Sequence, residues 1–273
     1  MKNYDRLSIL ISLVLLGLIM TQLISLPTRI VEATVFGSPV TLVLSTETII
    51  GLLLGLLTAT GVEYIMRAHP MIDERRSGPL VGLWVLPMLV TLAAARLTPM
   101  LLGRGIGTWV VGLVIAGIVL AAVVVVQYRA IDPRAPGALS ARLLSNALSY
   151  GAAFLLFAML YGAKLRSLLS ASIMVVLAGL LALSILRGYT KEQHSSWYAL
   201  LVGLLMGQTT WALNYWGVNG LTGGALLLLL FYLLTGLAQQ RLLDRFNRRV
   251  LLEYGLVTIV GIALLAIRGA FSW

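Results

Sequence analysis

WVVGLVIAGIVLAAVVVVQY, residues 109–128, runs for twenty residues without a charged side chain. A helix rises about 1.5 Å per residue, so this stretch covers about 30 Å, the thickness of the hydrocarbon core of a bilayer. Working outward from it, residues 7–26, 46–66, 80–97, 143–161, 168–186, 197–215, 221–237 and 250–267 repeat the pattern, giving nine candidate spans. The span at 80–97 is the least regular, because Pro87 removes a backbone donor and Arg96 lies near its outer end. The expected fold class is all-α: a polytopic transmembrane helical bundle of about nine spans.

Composition supports that reading. The chain is 59% hydrophobic and 11% charged, with a mean hydropathy of +0.96, whereas soluble domains carry about 25% charged residues. Nine spans of about 20 residues leave only short loops, so residues 1–273 are expected to form a single integral-membrane domain. The segment at 7–26 is longer than a secretory h-region and lacks a small-x-small cleavage pattern close behind it, so it is read as a span. No cysteine is present, which excludes disulfides and thiolate chemistry.

The formal charge of +10 would point to nucleic acid in a soluble protein, but here the basic residues sit at the ends of apolar segments. With the N-terminus inside, fourteen Lys and Arg fall on the inner side and six on the outer. That asymmetry predicts a multi-pass protein of the plasma (cytoplasmic) membrane, with its N-terminus cytoplasmic and its C-terminus external. The partners expected are the lipid bilayer and protein subunits or further copies of the chain, and not nucleic acid.

Two connections have patterns of their own. Residues 30–36 and 40–44 are rich in β-branched residues and flank Gly37-Ser38, a dipeptide suited to a tight turn, so a short external β-hairpin is expected between the first two spans. Residues 239–249 carry Leu242, Leu243 and Phe246 at helical spacing among Arg241, Arg245, Arg248 and Arg249. This basic amphipathic segment is expected to lie against anionic lipid headgroups.

Polar residues at membrane depth are few, and each is a functional candidate. Glu47 and Arg96 both belong at the outer interface and are candidates for a pair between the second and third spans. Glu63 with Arg67, and Arg249 with Glu253, have the i,i+4 spacing of structural ion pairs. The seventh span is the most distinctive: Leu204, Gln208, Trp211 and Tyr215 share one face, while Thr210 and Asn214 share another. Gln208, Trp211 and Tyr215, with Asn146 and Tyr150 of the fifth span, are the candidate ligand-binding residues; the alternative is interhelical hydrogen bonding. Gly51-x3-Gly55 with Thr58, and Gly203-x3-Gly207 with Thr210, form a faint internal echo in oppositely directed spans.

Enzyme signatures are missing. The two histidines, His69 and His194, lie in inner loops, and His69 with Asp73 and Glu74 makes too weak a string for a metal site. The chain contains no GxSxG, P-loop, HExxH or GxGxxG pattern. The carboxylates all lie near span ends, which weighs against a proton-coupled pump. No catalytic residue, metal or cofactor is expected.

Gly207, Trp211-Ala-Leu-Asn214, Gly223-Gly224, Phe231-Tyr232, Gly236-Leu-Ala-Gln239 and Arg249-Val250 with Glu253 resemble an uncharacterised family of bacterial polytopic membrane proteins, a domain of unknown function. Tyr128 with Asp132-Pro133, and Asn146 with Tyr150, extend the resemblance over nearly the whole chain. It implies no substrate or catalytic residue. It does imply Glu in other members where this chain has Gln208, which puts in doubt any role needing a charge there. Two functions are expected: a non-enzymatic membrane-complex subunit or scaffold, or a carrier or binder of a lipid or small amphiphile around the seventh span.

Overall fold

The structure is a computed structural model. It describes residues 2–244 except 25–26, 36–37, 73–79, 133, 135 and 188–193, and beyond Asp244 only residues 252, 255, 256, 261 and 263. Arg245, Arg248, Arg249 and Glu253, and most of the segment 250–267, lie outside the described residues.

The described elements are α1 (Lys2–Leu23), β1 (Arg29–Val35), β2 (Ser38–Leu44), α2 (Thr46–Arg67), α3 (Val81–Leu102), α4 (Ile106–Ala130), α5 (Ala138–Gly162), α6 (Ser167–Arg187), α7 (His194–Leu213) and α8 (Gly220–Leu242). Apart from one hairpin the architecture is helical. Seven of the helices, all but α7, are long and apolar enough to cross a membrane. α7 is the less apolar one because Gln208, Thr209 and Thr210 interrupt its run of leucines.

Several helix ends differ from the sequence reading: α1 begins at Lys2 and ends at Leu23, α3 continues past residue 97 to Leu102, and α5 begins at Ala138 and not at residue 143. α7 stops at Leu213, so Asn214 and Tyr215 stand in the turn that follows it. α8 continues through Gln239, Gln240 and Arg241 to Leu242, since that stretch contains only good helix formers and nothing to break the backbone ladder. The start of the basic segment 239–249 is therefore the last turn of a long helix, where Arg241 complements the helix dipole.

β1 and β2 pair antiparallel from Arg29↔Leu44 to Val35↔Ser38. Ser38 thus belongs to β2 and not to the turn, a shift of one residue that lets all seven residues of each strand pair. Pro39 is tolerated because each strand of a two-stranded ribbon has an unpaired edge.

The chain divides into two compact units, residues 1–148 and 149–273, with the boundary inside α5. In the first unit, Leu10, Val14 and Leu18 of α1, Leu54 and Val62 of α2, Ala95 of α3 and Leu120 of α4 form a continuous buried cluster. Small residues bring these helices together: a Cβ at Gly51 would lie 3.2 Å from the Ala95 Cβ, and one at Gly55 3.2 Å from Leu92. One turn further along the same contact, Thr58 and Thr91 meet with their hydroxyl oxygens 3.0 Å apart. Each also lies near the carbonyl four residues before it, Leu54 and Pro87 respectively, so a shared proton joins α2 to α3 in the interior.

The second unit uses the same device twice. α6 and α7 run antiparallel with Ala171, Val175 and Gly179 facing Ala199, Gly203 and Gly207, each set spaced by four residues. A Cβ at Gly203 would approach the Val175 carbonyl to 2.6 Å. On the other contact, Gly220 and Gly224 of α8 fit against Gly162 and Ala158 of α5. Below that seam Tyr150, Phe157, Phe231 and Tyr232 form an edge-to-face aromatic cluster with ring centroids 5.4–6.0 Å apart.

Candidate functional site

α7 presents two faces with opposite fates. Ser195, Ala199, Val202, Met206, Thr210 and Leu213 are buried, and the glycines between them fit against α6. The Thr210 hydroxyl donates to the Met206 carbonyl at 2.8 Å. Just past the helix end, Asn214 Nδ2 donates to Ser170 Oγ at 2.7 Å, tying the turn to the start of α6. The polar groups of this face are spent on helix packing.

The opposite face is open. Trp197, Leu201, Leu204 and Trp211 are 66%, 53%, 45% and 44% exposed, and Gln208 is exposed among them. The Gln208 amide makes no hydrogen bond to another described residue. Tyr215 projects from the following turn at 77% exposure.

That turn is clamped from below. Tyr161 lies in the notch left by Gly223, and its hydroxyl reaches the carbonyls of Leu213 at 2.9 Å and Trp216 at 3.0 Å. Lys164 stacks over the Tyr161 ring at 4.1 Å and donates to the Val218 carbonyl at 3.0 Å. Asn219 then caps α8 through the Thr222 amide. None of this clamp stands out in the sequence, although glycine at 223 opposite a tyrosine is the kind of pairing that makes it.

Of the candidate ligand residues, Gln208 and Trp211 share the open face of α7, with Tyr215 beyond its end. Tyr150 is engaged elsewhere: its hydroxyl lies 3.1 Å from Thr235 Oγ1 and its ring packs edge-on against Phe231 and Tyr232. Asn146 is half-buried on α5 and belongs to the residues of the first unit.

The charged candidates lie at helix ends. Arg96 Nη1 donates to Glu47 Oε2 at 2.9 Å, joining the C-terminal half of α3 to the first turn of α2. Arg67 donates to Glu63 through Nε at 3.1 Å and Nη2 at 2.6 Å within α2. The Arg249–Glu253 pair and the Asp73-Glu74 dipeptide fall outside the described residues.

A family model matches residues 26–268, nearly the entire chain. The chain belongs to that family, which is described as a protein of unknown function (DUF5656). No curated protein and no solved structure matches it. Family membership therefore supplies no assigned chemistry, and the functional argument rests on the residues.

Two further features of the first unit bear on it. A small apolar gap of about 10 Å³, the space of about one water, lies among α1, α3 and α4, lined by Val14, Leu15, Leu18, Thr91, Gly117 and Leu120. Gly117 and Leu120 belong to a stripe of α4 that continues through Val124 to Gln127, which is 5% exposed and whose Oε1 has no described hydrogen-bond partner. Sequence reasoning passed over Gln127 because it stands one residue from the end of an otherwise apolar run.

At the end of α4, the Tyr128 ring meets His69 edge-on at 4.6 Å. The Met71 amide donates to His69 Nδ1 at 3.1 Å. Burial lowers the His69 pKa below its usual 6.5, opposed by the negative charge of Asp132. The imidazole is thus held as a neutral acceptor at the foot of α2 and α4.

Proposed function

We propose that this protein is a non-enzymatic subunit or scaffold of a membrane assembly. In this reading it is a nine-span protein of the plasma (cytoplasmic) membrane, with its N-terminus inside and both the β1–β2 hairpin and the C-terminus outside. Anionic lipid at Arg241, Arg245, Arg248 and Arg249 holds the inner end. The observation that carries the reading is the division of labour on α7: one face is consumed by α6, while the other offers a row of large apolar side chains and an uncommitted amide. An amide left in hydrocarbon costs several kcal/mol, so a helix that keeps one on its open face favours a protein neighbour over lipid. The interior polar groups support the same conclusion, because Thr58–Thr91, Tyr150–Thr235 and Asn214–Ser170 join helices to one another.

The test is purification from native membranes in mild detergent, followed by mass spectrometry of the proteins and lipids that remain bound. A stoichiometric protein component supports the scaffold. A monomer that carries one defined lipid and no protein overturns it and favours the second reading, a binder of a lipid or small amphiphile. That second reading has in its favour the buried Gln127 of α4, whose Oε1 has no described partner and is left to receive a donor. Gln127→Leu should then abolish lipid retention without removing partner proteins.

A further inference from the structure

We infer that Arg6 of α1 and Tyr64 of α2 form a binding site for the headgroup phosphate of an anionic phospholipid, whose acyl chains lie along exposed apolar residues of the same two helices. Such a site requires only that the chain sits in a membrane. It is compatible with a scaffold and with a lipid binder alike, and it is separate from Gln127 and from the basic segment 239–249.

The site follows from the way α1 and α2 pack. Leu54 fits at Gly17 and Leu10 fits at Gly61, so moving seven residues back along α1 means moving seven forward along α2. The helices are therefore antiparallel, and the next turn sets Arg6 against Tyr64. The Arg6 guanidinium carbon lies 4.7 Å from the centre of the Tyr64 ring. A guanidinium placed over an aromatic face is held in position while its N–H groups stay free at its edge, the geometry that takes two oxygens of a phosphate.

The charge of Arg6 is not neutralised by the groups around it. Glu63, the carboxylate of α2 next to Tyr64, accepts two bonds from Arg67, at 3.1 and 2.6 Å. Asp5 is the adjacent residue of α1 and is turned about 100° away around the helix. Lys2 stands one turn before Arg6, so three basic residues face two acidic ones at this end of the helix pair. Among the described residues Arg6 has no ion pair and no hydrogen bond.

A phospholipid is selected by what adjoins the cation. Tyr64 is 60% exposed, so the ring and the guanidinium open to the outside of the helix pair. Ile9 and Leu13 follow Arg6 at i+3 and i+7, Leu57 and Leu53 precede Tyr64 by seven and eleven residues, and all four are exposed. The cation thus heads an apolar strip two helices wide. A free phosphate has no use for the strip and an acyl chain none for the guanidinium, whereas a phospholipid engages both. The Tyr64 hydroxyl supplies a further donor. A zwitterionic headgroup carries its own cation, which competes for the phosphate, so an anionic lipid is preferred.

The test uses the full chain, purified in mild detergent, stripped of lipid and mixed with phosphatidylglycerol, phosphatidylcholine or inorganic phosphate. Retention is read by native mass spectrometry and stabilisation by melting temperature. Phosphatidylglycerol should be retained at least about fivefold better than phosphatidylcholine, and Arg6→Gln should weaken its binding about tenfold, the loss of one bidentate charge-assisted contact. Arg6→Lys keeps the charge without the fork and should fall between the two, which guards against a poorly folded Arg6→Gln. Arg241→Gln should change binding by less than about twofold. Equal retention of the two lipids, or retention indifferent to Arg6→Gln, would overturn the site. Inorganic phosphate that stabilises the chain through Arg6 as well as phosphatidylglycerol does would overturn the lipid as its ligand.

Discussion

His69 is the titratable side chain whose surroundings give the clearest expectation. Its Nδ1 accepts the Met71 amide, a bond that protonation of that nitrogen would break, and its pKa is lowered by burial more than Asp132 raises it. The unfolded chain therefore takes up a proton at a higher pH than the folded one, and stability is lost as pH falls from about 6.5 to the folded value, then levels off. Melting temperatures of the solubilised protein between pH 7.5 and 5 should fall across that window, and His69→Gln should flatten the fall; equal slopes would show that His69 does not contribute. Arg96 and Glu47 make a different case. Their side chains are 57% and 33% exposed, so the pair should contribute only about 0.2–1 kcal/mol in a double-mutant cycle. Arg96→Glu should lower the melting temperature, and adding Glu47→Arg should recover only part of it, because Glu47 also favours the N-terminal turn of α2 and an arginine there opposes the helix dipole. Ion pairs of this sort are readable from sequence to unequal degrees. Glu63 and Arg67 are one helical turn apart and need no tertiary information. Glu47 and Arg96 are 49 residues apart, and only the assignment of both to the outer ends of neighbouring spans links them.

Helices in this chain are legible because a bilayer fixes their length and apolar character, whereas their rotation is not. In a soluble bundle, hydrophobicity marks the inward face; on α7 leucines stand on both faces, Leu201 and Leu204 exposed and Leu213 buried, and the inward face is marked by small residues. Gly203 and Gly207 are thus the informative positions, and the sequence echo with Gly51 and Gly55 corresponds to the same local use: each pair lets its helix approach an antiparallel neighbour, α6 for α7 and α3 for α2. Gln208 and Trp211 catch the eye as chemistry, yet it is Thr210 and Asn214 that bond toward the interior. The steric claim is directly testable. Gly203→Ala would push a methyl against the Val175 carbonyl, and Gly224→Ala would put one 2.6 Å from the Ala158 Cα, backbone atoms that cannot rotate away. Each should destabilise by about 1–3 kcal/mol. Gly151→Ala meets nothing within 4 Å and should be neutral or stabilising by up to about 1 kcal/mol. Thermal denaturation of the three variants side by side would decide it, and a harmless Gly203→Ala would mean that α6 and α7 are not in backbone contact.

At the scale of the whole molecule, the proposed topology depends on α7. It is the helix with too many polar residues to count as a membrane span by apolarity alone, and if it failed to cross, everything after it would invert. Arg241, Arg245, Arg248 and Arg249 would then move outside and Arg268 inside, and the fourteen-to-six excess of inner basic residues would shrink to eleven to nine. That loss of bias argues that α7 does cross, its polar face shielded by α6 and its tryptophans at the headgroups. A topology reporter inserted at Gly217, between α7 and α8, separates the two arrangements. It should be active only outside, as should one fused after Trp273, while one near Arg134 should be active only inside. Inner activity at Gly217 would mean that α7 lies along the inner surface. The nine-span arrangement would then be lost.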